Sequence, residues 1–178
     1  MVSVLTCCLV FSHFGTRCVA DVKSSGPDHF SLRVEKEIQS PPNVAWHHLL
    51  KIGSWWNSSH TWSGDAKNLT LDTKPGGGFD ETLPSGGFVR HMTVIYCDPE
   101  KKLRMSGVLG PLQEEGLTGT MTITLTRKET GTIISAVYKV SGHLDGGLDK
   151  IAPLVDQVLT EQVTRLTAII NHGPPAKP

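Results

Sequence analysis

Asp149-Lys-Ile-Ala-Pro-Leu-Val-Asp-Gln-Val-Leu-Thr-Glu-Gln-Val-Thr-Arg-Leu-Thr-Ala-Ile-Ile170 is the stretch that decides the fold. Ile151, Leu154, Val155, Val158, Leu159, Gln162, Val163, Leu166, Ile169 and Ile170 recur three and four apart, which predicts an amphipathic helix of about five turns. Asp149 suits its N-cap, and Pro153 would then fall in the first turn, where the backbone N–H has no intrahelical partner. A helix with one apolar stripe needs an apolar surface to cover. The segment that precedes it can supply that surface.

From Asn68 to Gly142 the sequence reads as strand after strand separated by Gly-rich turns, over 69–73, 78–83, 88–96, 102–109, 117–127 and 133–141. Leu117, Gly119, Met121, Ile123 and Leu125 alternate with Thr118, Thr120, Thr122, Thr124 and Thr126. Ile134, Ala136, Tyr138 and Val140 oppose Ser135 and Lys139 in the same way. Upstream, Phe30, Leu32, Val34 and Ile38 share one side of a strand, with Arg33, Glu35 and Glu37 on the other. Ser40-Pro-Pro-Asn43 opens a short helix that Ser40 could cap, and 51–57 adds one irregular turn. Within residues 68–142 no helix interrupts the strands, which excludes a βαβ pattern there and argues for an antiparallel meander. The expected class is α+β: a curved antiparallel sheet of about six or seven strands around a long C-terminal helix, with two short helices after the first strand.

The chain has 178 residues, 38% hydrophobic, with a formal net charge of +0, which fits one domain. A balanced charge without Lys or Arg runs leaves no electrostatic footprint for nucleic acid or an anionic membrane surface. Residues 1–20 read as a secretory signal peptide. Val2–Phe11 is apolar, and small Ala20 precedes the expected cleavage, although no Lys or Arg stands before the apolar run. The run is too short for a membrane span, and no stable membrane insertion of the mature chain is expected. The expected organisation is a signal peptide over 1–20, one domain over 21–172 and a tail over 173–178. Localisation would be secreted or periplasmic, or cytoplasmic if the true start lies elsewhere. Cys7, Cys8 and Cys18 precede the cut, so Cys97 has no partner for a disulfide or a zinc site.

The order of elements resembles the START-like (SRPBCC, helix-grip) superfamily, especially its polyketide-cyclase and chaperone-activator-like branches. Ser40-Pro-Pro-Asn-Val-Ala-Trp46 resembles the family's entry into its first helix. Ile52-Gly-Ser-Trp-Trp56 resembles its double-Trp turn, and Asp98-Pro-Glu-Lys-Lys-Leu-Arg-Met105 its hairpin after the fourth strand. The resemblance covers about Phe30 to Ile170. It implies a cavity between the concave sheet and the last helix, and it specifies fold better than activity, because such folds host carriers, receptors, cyclases and chaperone activators.

Strand parity and helix phase nominate Phe79, Met105, Leu109, Leu117, Met121, Tyr138, Leu154, Val155, Val158 and Leu159 as inward-facing. Trp56 is the expected lining residue at the mouth, Trp55 a packing one, and Trp62 completes the aromatic group. Glu81 follows Phe79 by two and should share its face, where burial would favour the protonated acid. His91 could lie opposite it as the second member of a proton relay, although the parity of Met92, Val94 and Tyr96 leaves open which set points inward.

Other chemistries lack support. His47 and His48 diverge on a helix, no HExxH spacing occurs, and His60, His91 and His143 would have to converge through folding, so no metal is expected. Gly76-Gly-Gly78 leads into a strand and reads as a hairpin turn, and Ser54, Ser58 and Ser85 lie in no GxSxG elbow. Asn57-Ser-Ser59 and Asn68-Leu-Thr70 match the glycosylation acceptor pattern. The leading expectation is therefore a binding or transport protein for a hydrophobic or amphipathic small molecule (a lipid, polyketide or aromatic metabolite) without cofactor. The alternatives are a cyclase or dehydratase working through Glu81 and His91, and a chaperone-activator-like partner-binding domain. Oligomeric state is not readable, since the apolar periodicities are used up by the core.

Overall fold

The structure, a computed structural model, describes residues 19–173. One antiparallel sheet contains β1 (Val19–Gly26), β2 (His29–Ile38), β3 (Leu69–Leu71), β4 (Gly78–Thr82), β5 (Phe88–Asp98), β6 (Lys102–Ser106), β7 (Thr118–Lys128) and β8 (Gly131–Ser141). Their spatial order is β1-β2-β8-β7-β6-β5-β4-β3. The meander from β3 to β8 is thus continuous, and the hairpin of β1 and β2 extends it through β2–β8 pairing. Between β2 and β3 run α1 (Pro42–Leu50) and single 3₁₀ turns at Ile52–Ser54, Ser58–His60 and Ala66–Asn68. The chain ends in α2 (Leu148–His172), which packs on β2, β1 and α1. This is the α+β helix-grip arrangement, with eight strands instead of six or seven.

The additional strand is β1, paired from Val19↔Glu35 to Gly26↔His29 with an irregularity between Val22 and Ser24. Val-Ala-Asp-Val-Lys-Ser-Ser-Gly has no clean alternation; it becomes a strand by pairing along the free edge of β2. A cut after Ala20 would fall inside it. The apolar run Val2–Phe11 and tail residues 174–178 lie outside the described residues.

The alternations of β2, β7 and β8 translate directly into burial. Phe30, Leu32, Val34 and Ile38, Met121, Ile123 and Leu125, and Ile134, Ala136, Tyr138 and Val140 all face the core. From α2, Leu159, Val163, Leu166, Ile169 and Ile170 cover them.

Both expected helix caps differ. The N-cap of α2 is Gly147, at φ 89°, and Asp149 stands one residue inside the helix. Gly146 and Gly147 both take positive φ, which lets the chain turn early enough for Leu148 to be buried and for its N–H to reach the Pro27 carbonyl at 2.9 Å. Pro153 consequently lies in the second turn. At α1, Pro41 occupies the N-cap with Pro42 first in the helix, and Ser40 serves instead through its carbonyl, which accepts from the Thr132 hydroxyl at 2.8 Å.

Candidate functional site

A β-bulge builds the wall on which the site stands. Phe79 is paired with Met92, but Asp80 is paired with Arg90, so His91 is the extra residue of β5. On a regular strand His91 and Met92 would point to opposite faces; the bulge turns both inward, and both are buried. A second bulge between Val94 and Tyr96 leaves Ile95 and Tyr96 exposed on the far side. On that outer face of β4, Asp80 holds Arg90 through two 2.8 Å bonds.

On the inner face Glu81 is 0% exposed. Its Oε2 lies 3.0 Å from His91 Nε2 and accepts the Trp62 N–H at 3.1 Å, while Oε1 accepts the Ser63 N–H at 2.5 Å. Burial is the largest single influence on this carboxyl and pushes it up. The Ser63 hydroxyl, the Ser63 and Trp62 N–H groups and the His91 ring together outweigh burial and hold it below its ordinary value. The expected protonated acid is therefore corrected: Glu81 is an ionised acceptor. Because a carboxylate only accepts, the His91 nitrogen facing it carries a hydrogen, which leaves Nδ1 as the ring's other polar edge.

An aromatic ladder continues from this pair. The Phe79 ring lies 4.7 Å from that of His91 and 5.3 Å from that of Trp56, centroid to centroid. Trp56 donates its indole N–H to the His60 carbonyl at 2.9 Å, and Trp55 packs beneath it with its own N–H on the Leu49 carbonyl.

These groups border a cavity of about 520 Å³ between the sheet, α2 and the 56–62 loop. Of the nominated residues, Trp56, Phe79 and His91 line it from one side, Leu109 and Tyr138 from another, and Leu154, Val155, Val158 and Leu159 from α2. Leu154 stands at the mouth, 63% exposed, with Trp62 also open to solvent. Glu81 sits behind His91, outside the lining. Met105, Leu117 and Met121 are buried in the core and do not line the cavity. Parity assigns a face but not a depth along the strand: Met105 is paired with Met121 and Met121 with Tyr138, yet of the three only Tyr138 reaches the cavity.

The lining also includes Ser59, His60, Thr61, Pro111, Leu112 and Ile151, which sequence reading did not nominate. Ile151 could have been found from the apolar stripe of α2. The loop residues carry no periodic signal, and their placement depends on side chains about a hundred positions away. Gln162 Oε1 accepts the Asn57 N–H at 2.8 Å, Glu161 receives the Asn57 amide and, at 3.2 Å, His60 Nε2, and Arg165 Nε donates to the Trp55 carbonyl at 2.8 Å. Gln162, polar within an apolar stripe, thereby acquires its purpose.

Tyr138 is fully buried, and its oxygen accepts the Leu109 N–H at 3.0 Å. Burial pushes its phenol far above the ordinary value, and the Leu109 bond pulls the other way more weakly. His60, His91 and His143 face three different carboxylates, and no group of three or more metal-ligating side chains occurs among the described residues.

The family model described as "Activator of Hsp90 ATPase homolog 1-like protein" matches residues 40–171. The chain belongs to this family. Membership of this activator-like family, with the fold, places it in the START-like (SRPBCC) superfamily. No curated protein matches the chain. Among solved structures it is similar to CalU16 from Micromonospora echinospora, with a TM-score of 0.61 at 14% identity over 94% of this chain and 81% of that one. A protein from Rhizobium leguminosarum gives 0.58 at 19% identity over 87% and 98%. DynU16, from the dynemicin biosynthetic locus, gives 0.60 at 17% identity over 82% of this chain and 48% of its own length. At these identities the likeness shows the fold alone.

Proposed function

We propose that this activator-like family member holds a hydrophobic or amphipathic small molecule, of the lipid, polyketide or aromatic class, between α2 and the sheet. The observation that carries the reading is the cavity itself. At about 520 Å³ it falls within the range of small-molecule sites, and its wall is aliphatic and aromatic with few polar groups. Binding would draw mainly on apolar area removed from water, at about 25 cal/mol per Å² before association costs. The biosynthetic locus of DynU16 supports a small-molecule role for this fold.

The test is mass spectrometry of organic extracts from natively purified protein and from Val158→Trp, which places a large side chain in the lining. A molecule retained by the first and lost by the second supports the reading. The same molecule in both, or an empty native extract together with no uptake of a naphthalene-type probe, sinks it. A second reading, proton-transfer catalysis, draws on one observation: His91 lines the cavity and is oriented by Glu81. Export remains part of the proposal, and the intact mass of protein recovered outside the cytoplasm tests it, since cleavage after Ala20 predicts a chain beginning at Asp21.

A further inference from the structure

The Tyr138 hydroxyl is placed unusually for a core tyrosine. The ring is fully buried, packed edge-on against Phe30 at 5.8 Å, and the residue lines the cavity beside Leu109. Its oxygen already accepts the Leu109 N–H, so the O–H is left to donate. The hydrogen bonds among the described residues supply no acceptor for it. A buried hydroxyl that keeps its proton and finds no protein acceptor is costly unless something in the cavity accepts from it.

The surrounding chain fixes this group. Gly107, at φ 141°, backs onto β5 so closely that a Cβ there would come within 2.7 Å of the His91 carbonyl oxygen. Two residues later Leu109 presents its N–H to Tyr138, and the Gln113 amide ties the following turn to the Arg90 carbonyl at 2.8 Å. The Leu109 N–H that fixes the Tyr138 oxygen therefore sits on a backbone segment braced against the bulge that carries His91, while the opposite wall, from Leu154 to Leu159, offers only apolar lining side chains.

We infer that the Tyr138 hydroxyl is the hydrogen-bonding point at the Leu109 end of the cavity, apart from the polar lining of Ser59, His60, Thr61 and His91, and that it selects apolar ligands carrying a carbonyl oxygen to seat on it. This rests on the small-molecule reading above and narrows it to apolar ketones and related carbonyl compounds. The hydrocarbon part lies along α2 and the Trp56–Phe79 wall, and the carbonyl points toward Leu109.

The test uses two probes of matched shape, 2-acetylnaphthalene and 2-methylnaphthalene, titrated into the full chain and into Tyr138→Phe. The ketone should bind the native protein at least as tightly as the hydrocarbon, although a purely apolar site would favour the hydrocarbon. Tyr138→Phe should weaken the ketone about five- to tenfold and change the hydrocarbon less than twofold, a split that mere loss of the Leu109 bond would not produce. Should the variant fail to fold, the infrared carbonyl band of the ketone bound to native protein decides. A shift to lower wavenumber than in hexane supports the hydrogen bond; an unshifted band overturns it. Equal weakening of both probes, or of neither, also overturns the inference while leaving the cavity intact. If neither probe binds the native protein, the small-molecule reading itself falls.

Discussion

Replacing Glu81 by Gln tests whether a buried carboxylate organises the site. Three hydrogen bonds converge on it, from the Trp62 and Ser63 N–H groups and His91 Nε2, with the Ser63 hydroxyl beside them. A glutamine has one carbonyl oxygen, so its NH₂ must face either the Ser63 N–H or the pair formed by Trp62 and His91. At least one buried N–H loses its acceptor, at about 1–3 kcal/mol, and the bonds that survive lose their charge assistance. The expected destabilisation at pH 7 is about 2–4 kcal/mol, read in urea as a midpoint lowered by roughly 1–2 M for an m-value near 2 kcal/mol/M. The pH dependence carries a definite sign. The carboxyl is held below its ordinary value, so its contribution is present above that value and is lost as pH falls through the lower, folded-state value. The gap between native protein and Glu81→Gln should therefore be full at pH 6–7 and shrink as pH drops into the acid range. A gap under about 0.5 kcal/mol at pH 7, or one that stays constant into acid, refutes the reasoning.

Gly131→Ala should destabilise the protein by at least about 3 kcal/mol, lowering the circular-dichroism melting midpoint by roughly 6–12 °C. Gly131 has φ 109°, and a Cβ there would meet the Ile38 carbonyl oxygen at 2.0 Å. Leu117→Ala should cost about 2–5 kcal/mol in urea denaturation while leaving probe affinity within about threefold, because Leu117 is core and not cavity lining. Arg165→Met, which keeps most of the apolar stem and removes the bond to the Trp55 carbonyl, should cost about 1 kcal/mol and speed probe release in stopped-flow dilution. Unchanged release would mean that the strap from α2 does not hold the loop.

Periodicity made the architecture legible. Side chains three and four apart in α2, and two apart in β2, β7 and β8, report which face is buried without reference to anything distant. Pairing and depth carry no such signal. β1 exists because β2 has a free edge, so a polar octet with no alternation becomes a strand. His91 faces inward because β5 holds one residue more than β4 can match, a property of two strands together. Leu117 and Phe79 were both inward by parity, yet only Phe79 reaches the cavity. The charge of Glu81 was the hardest to read. Burial, visible from the strand pattern, argues for the neutral acid, whereas the deciding donors belong to Trp62 and Ser63, in a loop whose course no local pattern specifies.

That charge state separates the roles of the two residues. A proton donor must have a proton to give, and an ionised carboxylate spending its oxygens on Trp62, Ser63 and His91 has none. It also does not line the cavity. Its two bonds from the Trp62 and Ser63 N–H groups join the end of the 56–62 loop to the sheet wall, its third holds His91 within the sheet, and Asn57 and the Trp55 carbonyl tie the start of the loop to α2. Glu81 is in this sense a positioning residue, fixing the ring of His91 and the roof over Phe79 at once. Of the pair only His91 lines the cavity, so proton transfer by this pair would use the His91 ring. Loss of Glu81 would then act on the geometry of the roof and on the orientation of the histidine together. Its signature is a fall in stability and in ligand retention that share one pH profile, whereas a catalytic acid would show a loss of turnover with retention intact.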